Sequence, residues 1–136
     1  MTGPIAIELY VSSSTVDTDF TAKLVDVWPT GFAQNLTDGI LRARYRNSHA
    51  APELLKPGEV YKIRIDMWNT SNVFLAGHKL RVDISSSNFP RFDRNLNTGE
   101  NAGRSSSMVK AENTVYHDAQ HPSALILPVV AVPNAP

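Results

Sequence analysis

The most constraining stretch runs from Ser71 to Gly99 and has a strand at its centre. In Lys79-Leu80-Arg81-Val82-Asp83-Ile84, apolar and charged residues alternate without a fault. Period two puts Leu80, Val82 and Ile84 on one face and Lys79, Arg81 and Asp83 on the other, so one face belongs against a core. Gly77, just upstream, suits a turn that needs positive φ. Downstream, Ser85-Ser86-Ser87-Asn88-Phe89-Pro90-Arg91-Phe92-Asp93-Arg94-Asn95 sets two phenylalanines around a proline, among amides and alternating charges. Specific side chains therefore concentrate where the backbone leaves the regular ladder at Ile84.

Apolar alternation recurs along the chain and predicts an all-β fold. Ile5, Ile7, Leu9 and Val11 alternate with Ala6, Glu8 and Tyr10 as a half-buried first strand, and Ser12 to Asp17 reads as a polar turn. A second strand, Asp19 to Trp28, carries Phe20, Ala22 and Leu24 in one register and Val25 and Val27 in the other. That switch predicts a β-bulge or burial on both faces. Pro29-Thr30-Gly31 and Asn35 to Gly39 punctuate the chain before a third strand, Ile40 to Arg46, with Arg42, Arg44 and Arg46 along one side. Those arginines must be solvated or paired with acids, because an unpaired buried charge is too costly.

Ser48 to Gly58, with Pro52, Pro57 and Gly58, is a loop that Leu54-Leu55 tucks against the body. Glu59 to Trp68 is a strand with Tyr61, Ile63, Ile65 and Met67 facing in and Lys62, Arg64, Asp66 and Trp68 facing out. Glu100 to Ser107 reads as a mobile loop, Met108 to Tyr116 as a strand and His117 to Ser123 as a turn. Ala124 to Val130 is a last strand, and Pro128 gives it an edge or terminal position. Val132 to Pro136 is a tail. No helical apolar period longer than about 10 residues is present, so seven or so strands predict a β-sandwich or jelly roll.

At 136 residues the chain has the size of one domain with one core. Its 13 Lys and Arg balance 13 Asp and Glu, without the basic stripe of a nucleic-acid binder, so no nucleic-acid partner is expected. No apolar run approaches the roughly 18 residues of a membrane span, and no membrane partner is expected. The absence of cysteine excludes a disulfide scaffold and thiolate metal sites. The N-terminus lacks the basic-then-apolar plan of a secretory signal, which makes the cytoplasm the expected compartment. Without that signal, the acceptor patterns Asn35-Leu36-Thr37 and Asn69-Thr70-Ser71 carry little weight. Thr2-Gly3-Pro4 leads straight into a strand, as a cut through a longer protein would.

Patterns of catalytic and metal chemistry occur, each weaker than its structural explanation. Ser107-Met108-Val109-Lys110 fits S-x-x-K, but that motif needs a helix to bring both residues to one face, and its partner motifs are missing. His117 and His121 have the spacing of a helical metal pair, yet Pro122 and the turn residues argue against a helix, and no third ligand is indicated. Their expected use is in capping and turn hydrogen bonds. The serine runs at Ser12 to Ser14, Ser85 to Ser87 and Ser105 to Ser107 lack the G-x-S-x-G elbow. No catalytic residue, metal or cofactor is therefore expected. Trp68 stands out because alternation turns it outward: a sugar platform, a protein-interface anchor, or a side chain partly covered by a loop.

Four stretches together resemble one family: Asp17 to Val27, Asp38 to Arg46, Thr70 to Gly99, and Tyr116-His117-Asp118 through His121-Pro122-Ser123 to Leu127-Pro128. In order, and over nearly the whole chain, they resemble the C-terminal non-catalytic domain of X-prolyl dipeptidyl-peptidase and cocaine-esterase type hydrolases. The resemblance implies a jelly-roll sandwich of the galactose-binding-like type. It also implies a catalytic triad in a separate, preceding α/β-hydrolase domain, the expected partner; no residue here matches a triad member. The family domain begins one strand earlier, so an unpaired sheet edge, and self-association through it, is expected near Ile5 to Val11. The function implied is that of an accessory domain packed on the catalytic domain and helping to wall its pocket. The alternative is a carbohydrate-binding module on the same sandwich.

The docking or pocket-lip residues expected are Asn72, His78, Asn88, Phe89, Pro90, Phe92, Asp93, Arg94 and Asn95. Pro90 restricts its own φ and the conformation of Phe89, which lowers the entropy lost on docking. Phe89 and Phe92 would be apolar anchors, while the amides and charges penalise a wrong partner. The competing expectation folds this segment back on its own sandwich, with Phe89 and Phe92 in the core and Asp93 bonded to Arg91 or Arg94.

Overall fold

Apolar side chains at every second position shape the longest strand, β1 (Thr2–Ser13), which lies in the middle of one antiparallel sheet. The computed structural model describes residues 1–101 and 103–130; the Val132 to Pro136 tail, and Ala102 of the Glu100 to Ser107 loop, lie outside them. Beside β1 runs β4 (Tyr61–Ser71), and along its other side β6 (Asn113–Tyr116) and β7 (Ala124–Ile126). The second antiparallel sheet places β2 (Asp19–Val27) between β3 (Ala33–Arg42) and β5 (Lys79–Ser85). Between the sheets Ile5, Ile7, Leu9 and Val11 meet Phe20, Ala22, Leu24, Ile63, Ile65 and Met67 in one core. The fold is the all-β sandwich that the alternation predicts.

Several boundaries differ from the sequence expectations, each for a local reason. Asn35 to Gly39 is part of β3 rather than a turn, because this part of the strand packs on the backbone of β4. Thr37 donates its hydroxyl to the Met67 carbonyl, and a Cβ on Gly39 would press into the Asp66 peptide and lie 3.1 Å from Ile65 Cγ2. Only glycine permits that approach. The third strand stops at Arg42, where Ala43–Tyr45 forms a 3-10 turn. Its entry is fixed by Ala43 N–H on the Thr18 carbonyl and Arg44 N–H on Asp17 Oδ1.

The strand expected from Met108 shrinks to β6, and the last strand to β7. The segment expected to turn at Ser12 stays in β1 through Ser13, its buried hydroxyls satisfied by Tyr116 and Thr15. The register switch in β2 does coincide with a bulge, where Leu36 of β3 is the extra residue. Leu55 is buried, as a loop anchor should be, while Leu54 is exposed.

The edge expected at Ile5 to Val11 does not exist. This strand pairs β4 on one side and β6 and β7 on the other, so self-association through it is overturned. The sandwich is instead unequal at its two lateral seams. At one, β3 and β4 are drawn together through Gly39 and Thr37. At the other, β5 pairs only β2 among the described strands and stands apart from β6 and β7.

Candidate functional site

The segment after β5 is held to the sandwich by three buried carboxylates. Asp17 accepts from Arg44 N–H at 3.0 Å, from Arg44 Nε at 2.8 Å and from Asn95 Nδ2 at 2.8 Å. The same Asn95 amide donates to Asp19 Oδ1 at 2.8 Å, and Arg42 forks onto Asp19 at 2.9 and 3.1 Å. Arg44 also donates to the carbonyls of Gly99 and Glu100, at 3.0 Å each. Asp38 takes Asn88 Nδ2 at 2.9 Å and Arg91 at 3.2 Å. Each buried charge thus meets an opposite charge and further donors, the condition under which burial is tolerated. The hydrogen bond to Asp19 also holds the Arg42 guanidinium above its ordinary pKa.

Sequence reasoning left Arg42, Arg44 and Arg46 either solvated or paired with acids, and each is paired: with Asp19, Asp17 and Glu53. It missed Asp17 and Asp19 themselves, because they sit beside a polar turn that reads as solvated. The signal available was their spacing, with two acids flanking Thr18 and two arginines flanking Ala43.

Between the anchors Asn88 and Asn95, Phe89, Pro90, Asp93 and Arg94 are exposed. Phe89 is 58% exposed, and the Arg94 guanidinium lies over its ring at 4.7 Å. Phe92 is half-buried under Arg91, while Pro90 and Asp93 are exposed. Neither competing expectation describes this segment alone. Asn88 and Asn95 tie the segment back to its own sandwich, whereas Phe89 stays out of the core and Asp93 bonds neither arginine. The Phe89–Pro90 peptide is cis.

Asn72 and His78 lie elsewhere, at the far end of β5. The His78 ring nitrogen Nδ1 is 2.9 and 3.1 Å from the two oxygens of buried Asp26, and its ring lies 5.3 Å from that of Trp28. Asn72 accepts the N-terminal amine of Met1 on its carbonyl. Trp68 is turned outward as alternation required, 68% exposed, where Met67 and Trp68 of β4 face the single residue Ile5 of β1. At this bulge Trp68 has φ +63°, and its N–H is held by Asp66 Oδ1 at 2.8 Å. Trp68 and Phe92 line one groove of about 230 Å³ with Ile40, Leu41, His49 and Arg64.

The rejected motifs lie in loops and a turn. Ser107 and Lys110 lie in irregular, exposed chain, and His121 closes a turn by bonding Asp118 at 3.1 Å. That bond, with the Gln120 N–H, holds the Asp118 carboxyl below its ordinary range. Among the described residues no serine hydroxyl is hydrogen-bonded to a histidine ring, and no three His, Asp or Glu side chains cluster as metal ligands. Among them, too, no helix is long and apolar enough to cross a membrane.

What the geometry defines is a β-sandwich that presents an anchored aromatic tip. Residues 1–126 match the family described as the X-Pro dipeptidyl-peptidase C-terminal non-catalytic domain, and the chain belongs to that family. It is 52% identical over 132 residues to cocaine esterase of Rhodococcus sp. (strain MB1 Bresler), covering 96% of this chain and 23% of that protein. An aminopeptidase from the marine sediment archaeon Thaumarchaeota archaeon superposes with TM-score 0.87 at 34% identity, over 91% of this chain and 22% of that one. An α-amino acid ester hydrolase superposes with TM-score 0.85 at 28% identity, over 95% and 24%. The chain therefore spans about a quarter of the length of these relatives.

Proposed function

We infer that this domain packs on a catalytic α/β-hydrolase domain and helps to wall its substrate pocket, in a serine hydrolase acting on ester or amide bonds. The observation that carries the reading is the Phe89–Arg94 stack, exposed to solvent yet held between Asn88 and Asn95, whose amides are fixed to buried aspartates. Anchoring on both sides reduces the conformational freedom lost on docking, and aromatic and arginine side chains are those that dominate interface energetics. An esterase, an aminopeptidase and an ester hydrolase among the relatives all cleave acyl bonds, and three quarters of each lies outside the part matched here.

Hydroxyl-radical footprinting of Phe89 tests this directly. The ring is labelled in the 136-residue chain alone and protected in a polypeptide that also carries the hydrolase domain. Equal labelling in both contradicts docking through this tip. The chain alone is expected to turn over no p-nitrophenyl ester; turnover abolished by replacing a single serine would contradict an accessory role.

A further inference from the structure

Among the described residues, the non-glycine positions with positive φ are Trp68 and Asn97. Asparagine adopts that region readily, whereas a bulky aromatic residue is held there only against strain, and such strain gathers at binding sites. At Trp68 the bulge in β4 and the bond from its N–H to Asp66 Oδ1 hold the backbone, and the indole they aim stays exposed. A bulge is a device for re-aiming a side chain. The indole shares its groove of about 230 Å³ with half-buried Ile40 and Phe92 and with polar Arg64, Asp66 and His49. Past Ile40 and Phe92 a second groove of about 250 Å³ continues to Tyr45, so each half of the trough has an aromatic ring.

The polar groups of the groove are only partly used. Arg64 donates one bond, from Nη1 to Glu8 Oε1 at 3.1 Å, and Asp66 accepts on Oδ1 alone. Among the described residues, the other Asp66 oxygen and the His49 ring nitrogens have no hydrogen-bond partner, and the His49 ring stacks on Tyr45. Arg64 and Asp66 stand two residues apart on the outward face of β4, so their charges cancel across the groove. A carboxylate ligand drawn to Arg64 would be repelled by Asp66, and an ammonium ligand the reverse. A hydroxyl donates and accepts at once, so neighbouring hydroxyls on a neutral ligand satisfy both side chains together.

We propose that the Trp68 groove binds a neutral saccharide. The C–H face of one pyranose ring covers the indole, and its hydroxyls bond Arg64, Asp66 and His49. The trough beyond Phe92 admits a second sugar unit toward Tyr45. A protein side chain laid on Trp68 would need a separate charge to match each of Arg64 and Asp66, which one sugar ring matches by itself. Phe89 lines neither groove, so saccharide binding leaves docking through the tip in place.

NMR titration of the 136-residue chain with the methyl pyranosides of glucose, galactose and mannose, and with maltose, cellobiose and lactose, tests this. The Trp68 indole N–H resonance should shift and saturate for at least one of them, with Kd on the order of 1 mM, while the Trp28 indole stays in place. Trp68→Ala should abolish the response without lowering the melting temperature, and Trp68→Phe, which keeps a ring, should retain it. Arg64→Ala should raise Kd by about tenfold, the loss of one charge-assisted hydrogen bond. No saturable shift at Trp68 up to about 100 mM sugar, or equal shifts at Trp28 and Trp68, overturns the proposal. So does protection of Trp68 from hydroxyl radicals in the polypeptide that carries the hydrolase domain, which would assign the groove to a protein contact.

Discussion

The inward and outward halves of the segment after β5 are built from opposite materials. The inward half is polar and closed. Asn88 and Asn95 end on Asp38, Asp17 and Asp19, and Arg42 and Arg44 complete the last two carboxylates. The outward half is aromatic and open, with Phe89 under Arg94 facing solvent. The contrast teaches that burial and specificity need not coincide. Polar residues here do the holding usually left to apolar ones, which leaves the apolar residues free to be presented.

The largest effect should come from breaking the inward half. Asp17→Ala strands Arg44 in a buried site and removes one acceptor of Asn95, at a cost of about 3–5 kcal/mol in urea unfolding. A loss below about 1 kcal/mol, the worth of an exposed ion pair, would show that the cluster does not anchor the segment. Next, Gly39→Ala should cost about 1–3 kcal/mol, because its methyl group meets the Asp66 peptide across the closed seam.

Removing the outward half should do little to the domain by itself. Phe89→Ala with Arg94→Ala is expected to change unfolding free energy by no more than about 0.5 kcal/mol, the range of surface substitutions. A loss of about 3–5 kcal/mol would instead mark a core phenylalanine. The smallest effect lies outside both halves, at Asp118. Its NMR titration should fall below the ordinary value of about 3.9, chiefly because His121 donates to it, and His121→Ala should raise it. A depressed folded-state pKa stabilises above the unfolded value, and that stabilisation is lost as pH falls through the folded one.

Strand alternation made most of the fold legible, because period two reports directly which face is buried. Ile63, Ile65 and Met67 are buried and Trp68 is turned outward as read. Illegible were the places where backbone, not side chain, makes the contact. Asn35 to Gly39 looks like a turn by composition, yet it is strand because Thr37 and Gly39 meet the peptides of β4. The central position of β1 was missed for a related reason: among the described strands it is flanked on both sides, whereas β5 pairs only β2. Local alternation is equally clean in β1 and β5, and only pairing distinguishes a central strand from an edge. Of the candidate site, Phe89-Pro90-Arg91-Phe92 stood out in the sequence, but whether its rings face outward or into the core did not; Phe89 is exposed and Phe92 half-buried. The aspartates that anchor the segment were not legible, since their partners lie between 23 and 78 residues away.

Thermal inactivation of the polypeptide that carries both this domain and the hydrolase domain, with and without Phe89→Ala and Arg94→Ala, bears most directly on docking through the tip. The double variant should lose ester-hydrolysing activity at lower temperature, or hydrolyse more slowly, while the isolated domain melts unchanged. Identical inactivation curves and rates for both polypeptides would contradict it.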